Sequence, residues 1–146
     1  MNSIRQDVYY QIKAKGYHCI SYISPDATYY RTPIGENCFI FENNVIQPFT
    51  SIGNNVIMWS GNHFGHHSNI ASHCFIASHA VISGHVTIER NCFVGVNATI
   101  NNGITIAKNT FVGSGALVTG DTKEFGVYPG NSAELSRVPS NKLRGL

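Results

Sequence analysis

Residues 76–106 read IASHAV-ISGHVT-IERNCF-VGVNAT-INNGIT-I, with one large apolar residue at every sixth position. The same phase holds without a slip over a longer part of the chain: Ile34, Ile40, Ile46, Ile52, Met58, Phe64, Ile70, Ile76, Ile82, Ile88, Val94, Ile100, Ile106, Val112, Val118. An α-helix repeats about every 3.6 residues and an ordinary strand about every two, so neither produces this pattern. A six-residue repeat is typical of a β-solenoid, in which each repeat forms a short strand and a corner.

Three such hexads closing one triangular coil would stack residues eighteen apart, at the spacing of about 4.8 Å between paired strands. One inward column is then a pure isoleucine ladder: Ile34, Ile52, Ile70, Ile88, Ile106. Side chains of this β-branched type pack well on a pleated surface and lose little freedom there. The sequence therefore predicts an all-β solenoid with coils of eighteen residues.

From Ile34 to Val112, the third position after each apolar residue holds Asn, Gly or His at every repeat except one, where Phe49 stands. Glycine adopts positive φ freely, and Asn and His do so more often than other residues. We therefore expect this position to be a corner of the coil in the left-handed region. This requirement also explains four histidines without any chemistry: His67, His73, His79 and His85.

The rest of the chain predicts a short helix and a tail around the solenoid. Residues 3–15 have spaced apolar residues and mixed charges before Gly16, which indicates an amphipathic helix. We expect this helix to cover the open bottom edge of the solenoid, which would otherwise invite strand pairing. The predicted division is a helix and lead-in over 1–21, a β-helix domain over 22–120 and an extended tail over 121–146.

Composition limits the class of protein. With 146 residues the chain forms one domain, and a net charge of +2 with 12 % charged residues gives no field that favours nucleic acid. No apolar stretch approaches a membrane span, and the first residues lack the apolar core of a signal peptide. We expect a cytoplasmic protein that binds neither nucleic acid nor membrane.

Three of the four cysteines, Cys38, Cys74 and Cys92, fall in one column of small residues in the repeat. Buried free cysteine behaves as a small hydrophobic residue. Because a cytoplasmic setting keeps thiols reduced, we expect a packing role here rather than a disulfide or a metal site. Cys19 lies outside the repeat, and the pattern assigns it no role.

Two further histidines, His63 and His66, do not stand at corner positions, and they lie in the segment WSGNHFGHHS of residues 59–68. His66 is either surface decoration or a general base, since imidazole exchanges protons near neutral pH. A metal site is not expected, because successive corners lie on different edges of the coil. Only His67 and His85 stack, and two ligands fall short of the three or four of a zinc site.

Several segments resemble the hexapeptide-repeat acyltransferases, a family with a left-handed parallel β-helix. They are similar above all to the branch that acetylates sugars for bacterial surface polysaccharides, including nucleotide-amino-sugar N-acetyltransferases and sialic acid O-acetyltransferases. The resemblance covers about residues 22–133. Its most specific parts are GHHS at 65–68, SGHVTI at 83–88, NCFVGVNA at 91–98, VGSGA at 112–116 and GVYPG at 126–130.

This resemblance implies a homotrimer with acetyl-CoA, as co-substrate, in the groove between neighbouring solenoids. It implies that His66 takes the proton from a hydroxyl or amine of a sugar or nucleotide-linked sugar, by direct transfer without a covalent intermediate. The positions that contact acetyl-CoA in relatives correspond to Phe75, Gly84, Val96 and Ser114.

Two departures from the family matter. Relatives often have an acidic residue beside the base, where this chain has His67. His67 therefore stands with His66 as a catalytic candidate, and an acidic residue from elsewhere, such as Glu42, is the alternative for orienting His66. Many relatives also carry an N-terminal domain that binds the sugar nucleotide, and we expect none in this chain. The acceptor, and the choice between O- and N-acetylation, stay open.

Two other functions remain as alternatives. A metal hydratase of the γ-carbonic anhydrase type shares the fold, and His63 and His67 have the four-residue spacing of its ligand pair. No histidine lies the required distance before them, however. A non-catalytic solenoid scaffold is the other alternative, and it leaves His63 and His66 without a purpose.

Overall fold

The computed structural model describes residues 2–142 and has the architecture of a parallel β-solenoid with one N-terminal helix. Helix α1 spans Asn2–Ala14. The strands follow in chain order: β1 Tyr22–Ile23, β2 Thr28–Tyr29, β3 Phe39–Ile40, β4 Val45–Ile46, β5 Ser51–Ile52, β6 Ile57–Met58, β7 His63–Phe64, β8 Asn69–Ile70, β9 Phe75–Ile76, β10 Val81–Ile82, β11 Thr87–Ile88, β12 Phe93–Val94, β13 Thr99–Ile100, β14 Thr105–Ile106, β15 Phe111–Val112, β16 Leu117–Val118, β17 Val127–Tyr128.

The strands form three parallel sheets, one for each side of the coil. Sheet A has the order β1-β3-β6-β9-β12-β15-β17, sheet B the order β16-β13-β10-β7-β4-β2, and sheet C the order β14-β11-β8-β5. Within sheet A, Phe93 pairs with Phe75 below it and with Phe111 above it, each eighteen residues away. The predicted eighteen-residue coil is therefore confirmed.

The corners between sheets hold the backbone in the left-handed region. All fourteen predicted corner residues have positive φ, from 55° at His67 to 75° at Gly61. Phe49 is one of the fourteen, at 61°, although a bulky aromatic residue is an outlier there. Each corner turns the chain after one short strand, which accounts for strands of two residues.

The inward residues of all three sheets form one continuous core. Ile40, Ile76 and Ile88 are fully buried, as the periodicity predicts. The column of cysteines belongs to this core, and Cys38, Cys74 and Cys92 are free and buried. The Cys74 thiol donates a hydrogen bond to the carbonyl of Glu89 at 3.0 Å, and burial raises its pKa. The predicted packing role of these thiols is confirmed.

Helix α1 is present as predicted, but its predicted position is wrong. It lies along the edge of the solenoid between sheets C and A instead of covering the open end. Lys13 forms an ion pair with Glu36 at 2.9 Å, while Arg5 donates to the carbonyl of Asn55, one coil further, at 2.6 Å. A 13-residue helix is about 20 Å long, which matches about four coils of stacked strands.

The tail also differs from its prediction. Residues 127–128 form β17, which pairs with β15 and adds a seventh strand to sheet A. After it the chain is exposed and extended, with one 3₁₀ turn at Ser140–Lys142. Residues 143–146, the end of the predicted tail, lie outside the described residues. Across residues 2–142, no helix has the length and apolar character needed to cross a membrane.

Candidate active site

The candidate site lies on the edge between sheets B and C, where residues 65–68 connect β7 to β8. Gly65 allows the chain to pack against the next coil, because a Cβ there would come 2.5 Å from the backbone carbon of Ser83. The Ser68 hydroxyl donates to the carbonyl of Ser83 at 3.0 Å and accepts from the Val86 N–H at 2.9 Å. These contacts fix the corner and leave the side chain of His66 exposed on the outside.

Three imidazoles meet at this corner. The Nδ1 atoms of His66 and His67 lie 3.0 Å apart, which is a hydrogen bond with one proton between them. The ring of His66 stands perpendicular to those of both His67 and His85, with centroid distances of 5.2 and 5.1 Å. All three side chains are exposed to solvent.

The ring of His67 is held in a vertical aromatic stack. It lies between Phe49, at 4.7 Å and 29°, and His85, at 4.9 Å and 12°. These three residues occupy the same corner position in successive coils. The stack limits rotation of the His67 ring and directs its Nδ1 toward His66. The left-handed backbone at Phe49 therefore places the phenyl ring where it packs against His67 of the candidate site.

The orientation of His66 fixes which nitrogen is available for chemistry. Its backbone N–H donates to Gln47 Oε1 at 3.0 Å, and its Nδ1 faces His67. When the shared proton is on His66 Nδ1, the lone pair of the ring is on Nε2. This Nε2 lies beside Gly84, where a Cβ would come within 2.8 Å of it. Gly84 thus provides the space that the imidazole occupies.

The four predicted acetyl-CoA positions fall into two groups on one solenoid. Phe75 lies on β9 of sheet A, stacked on Phe93 at 5.5 Å, while Val96 and Ser114 occupy the edge between sheets A and B. Gly84 lies on the other edge of sheet B, beside His66. Within one chain the structure brings Gly84 to the histidines, but it does not bring the other three residues there.

Within one chain, Glu42 does not reach His66. It lies on the edge between sheets A and B, a different edge of the coil, and accepts a hydrogen bond from the Ser60 hydroxyl at 2.5 Å. This bond lowers the pKa of the Glu42 carboxyl. The partner of the His66 ring is instead the neighbouring imidazole of His67.

Sequence reasoning missed three features of the site. It counted only His67 and His85 as neighbours, whereas His66 adds a third imidazole whose ring nitrogen lies within 4.8 Å of theirs. The stated reason against a metal site is therefore wrong. It also missed Gln47 and Phe49, although Phe49 was the one corner residue that broke the Asn/Gly/His pattern, and that exception marked the stack.

Residues 85–120 of this chain match the family model of the bacterial transferase hexapeptide (six repeats). No protein of curated function matches the sequence. The match covers a quarter of the chain, and the rest of the solenoid follows the same six-residue period.

Solved structures share the fold. One is a histidine-to-asparagine variant of perosamine N-acetyltransferase from Caulobacter crescentus in complex with CoA and GDP-perosamine, with a TM-score of 0.86, 24 % identity, and 88 % of this chain and 62 % of that chain covered. Another is the acetyltransferase domain of PglB from Neisseria gonorrhoeae in complex with acetyl coenzyme A. Its TM-score is 0.86 and its sequence identity 24 %, and the match covers 91 % of this chain and 65 % of that chain. A third is WeeI from Acinetobacter baumannii. Its TM-score is 0.70 and its sequence identity 20 %, and the match covers 88 % of this chain and 61 % of that chain. The chain spans less than two thirds of the length of each.

Proposed function

We propose that this protein transfers the acetyl group of acetyl-CoA to a hydroxyl or amine of a sugar or nucleotide-linked sugar, with His66 as general base. One observation carries the proposal: the exposed imidazole of His66 has its Nδ1 hydrogen-bonded by His67 at 3.0 Å, which leaves Nε2 available to accept a proton. The hexapeptide repeat and the fold shared with acetyltransferases that bind CoA support it.

The mechanism is a direct transfer. The acceptor attacks the thioester carbonyl while His66 Nε2 takes its proton, and the resulting imidazolium then protonates the departing thiolate of CoA. Through this step Nδ1–H of His66 donates to the lone pair on His67 Nδ1, which stabilises the positive charge. A positioned base of this kind contributes roughly 10²- to 10⁴-fold to the rate. His67 acts as a positioning residue, since its bond sets the tautomer and orientation of His66.

A homotrimer would complete the site, because the predicted acetyl-CoA positions lie on two edges of the coil. Sheet B separates the edge of Val96 and Ser114 from the edge of Gly84 and His66. With sheet B facing a threefold axis, the first edge of one solenoid would face the second edge of its neighbour. Acetyl-CoA would then lie between Phe75, Val96 and Ser114 of one chain and Gly84 of the next.

The outward side chains of the sheets agree with this arrangement. Three of the six outward residues of sheet B are apolar, namely Val45, Val81 and Leu117, and all three are at least 39 % exposed in the single chain. The outward residues of sheet C are polar: Ser51, Asn69, Thr87, Thr105. Because apolar surface is stabilised by burial, sheet B favours contact with other copies more than sheet C does. The free thiols of the core fit the reducing cytoplasm.

The test measures thiol release from acetyl-CoA with amino sugars, nucleotide-linked amino sugars and sialic acids as acceptors. We expect release that depends on the acceptor, and a His66→Ala variant that loses roughly 10²- to 10⁴-fold in kcat but still binds acetyl-CoA. His18→Ala, which changes an exposed histidine of the lead-in, serves as the control and keeps the wild-type rate. Absence of both acetyl-CoA binding and thiol release would contradict the proposal, as would a His66→Ala variant with full activity.

A further inference from the structure

We propose that His66, His67 and His85 bind one divalent transition-metal ion per chain, and that this ion inhibits the enzyme by occupying the base. The inhibitory part rests on the function proposed above, whereas the binding part rests on the geometry of the three imidazoles alone. Zn²⁺ is the probe, because imidazole nitrogen is one of its preferred ligands.

The three side chains offer ligand atoms close enough to share an ion. One ring nitrogen from each lies within 4.8 Å of the other two. Ligand nitrogens lie about 2.0–2.1 Å from Zn²⁺ in a tetrahedral site, so they are about 3.4 Å from one another. The Nδ1 atoms of His66 and His67 already approach to 3.0 Å. To bind one ion, the rings of His67 and His85 must tilt out of their parallel stack so that a lone pair of each points at it, and the exposure of all three side chains allows this without disturbing the core.

The backbone of the corner presents two of these ligands in a fixed relation. His67 and His85 both have positive φ, at 55° and 57°, and the N–H of His85 donates to the carbonyl of His66 at 2.8 Å. Their rings are nearly parallel, one coil apart. The coordination of three histidines leaves a fourth position for water, as in open zinc sites.

Metal binding and base catalysis exclude each other at His66. A neutral imidazole has a single lone pair, on whichever nitrogen lacks the proton. If the ion binds Nδ1, the proton moves to Nε2, and if the ion binds Nε2, it occupies that lone pair directly. In either case Nε2 no longer accepts a proton from the acceptor, and no proton is gained or lost overall.

Calorimetric titration of chelator-treated protein with Zn²⁺ tests the site. We expect one ion per chain for the wild type and an affinity lower by roughly tenfold or more for His85→Asn, which is about 1.4 kcal/mol or more. Asn tolerates the positive φ of position 85, so the corner keeps its conformation. The matched control is His79→Asn, which changes a corner histidine with a φ of 59° on another edge, and it keeps the wild-type affinity.

Acetyl-transfer rates with Zn²⁺ and with chelator, compared within each variant, test the inhibition. The wild type should lose activity at the Zn²⁺ concentration that fills the site, and His85→Asn should require proportionally more. Equal Zn²⁺ affinity in the wild type and His85→Asn would overturn the site, and binding without loss of rate would overturn the inhibitory role. If the wild type transfers no acetyl group, the proposed function fails while the calorimetry still decides the site.

Discussion

The imidazole of His66 lies directly against the backbone of Gly84, in the space that a Cβ atom would fill. A Cβ at position 84 would come 2.7 Å from Cε1 and 2.8 Å from Nε2 of His66, and 3.0 Å from Asn102 Oδ1. Real Cβ contacts are longer, so any side chain at this position displaces the ring. A glycine at position 84 is therefore required for His66 to occupy this position.

Gly84→Ala should therefore lower kcat, because it moves Nε2 away from the acceptor. A displacement of about 1 Å in such a site costs on the order of 10²-fold. Steady-state kinetics separate this effect from a simple block of the cofactor, which would raise KM for acetyl-CoA with kcat unchanged. Gly120→Ala is the control, since a Cβ there meets nothing within 4 Å. Equal rates for the two variants would show that His66 does not act from this position.

His67→Gly should lower kcat less than loss of His66 does. Gly accepts the φ of 55° at this position and has no side-chain atom that accepts the proton of His66. Loss of one such hydrogen bond costs about 1 kcal/mol, or about fivefold to tenfold in rate. KM for the acceptor and the thermal melting temperature should stay near the wild-type values, which distinguishes a positioning role from general damage. A kcat as low as that of His66→Ala would instead make His67 the base.

The helix side of the solenoid contains a histidine that must stay neutral. His73 is buried, and its Nδ1 accepts a hydrogen bond from Asn55 Nδ2 at 2.9 Å, while its Nε2 lies 3.3 Å from the Tyr10 hydroxyl. The amide of Asn55 cannot flip, because its Oδ1 accepts from Arg5 and from Asn37. Desolvation, with added repulsion from Arg90 and Arg5, lowers the pKa of His73.

This network predicts a loss of stability in acid. In the unfolded chain the histidine binds its proton below about pH 6.5, whereas in the folded protein it does so only at lower pH. The free energy of unfolding should therefore fall as pH drops from about 6.5 toward the lowered pKa of His73. Urea unfolding at about pH 7 and about pH 5 measures this difference. His73→Asn should reduce this difference in the free energy of unfolding between the two pH values. An equal difference in the wild type and the variant would contradict this role for His73.

Substitution on sheet B should weaken self-association. Val81 is 43 % exposed on the outer face of β10, so Val81→Glu would place three like charges around the proposed threefold axis. Sedimentation should show trimers for the wild type and smaller species for Val81→Glu. Thr87→Glu is the matched control, because it adds the same charge to the outer face of sheet C and should leave the trimer intact. If Thr87→Glu dissociates the trimer and Val81→Glu does not, the interface lies on sheet C.

The repeat was predictable because it is encoded at a fixed spacing. Inward residues such as Ile76 and Ile88 repeat every six positions, and the corner residues follow in phase, so each coil can be read from its own sequence. The same arithmetic excludes Glu42 as a partner of His66 in the same chain. Their separation of 24 residues is one coil plus one hexad, which puts them on different edges.

Features without periodicity could not be read in this way. The position of α1 depends on contacts between residues far apart, such as Lys13 with Glu36, and nothing in the helix sequence specifies that partner. Strand β17 follows a break in the repeat, so its pairing with β15 depends on the path of the intervening loop. The approach of His66 to His85 likewise depends on side-chain orientation rather than on register.

The position of α1 along the solenoid changes how the protein should come apart. Units of a solenoid contact only their neighbours, so coils at an open end can be lost one at a time. Helix α1 joins the coil of Glu36 to the coils of Asn55 and His73 through side-chain contacts on its own surface. A single one of the first coils therefore cannot separate without breaking its contacts to α1. The N-terminal half of the solenoid should open as one cooperative unit.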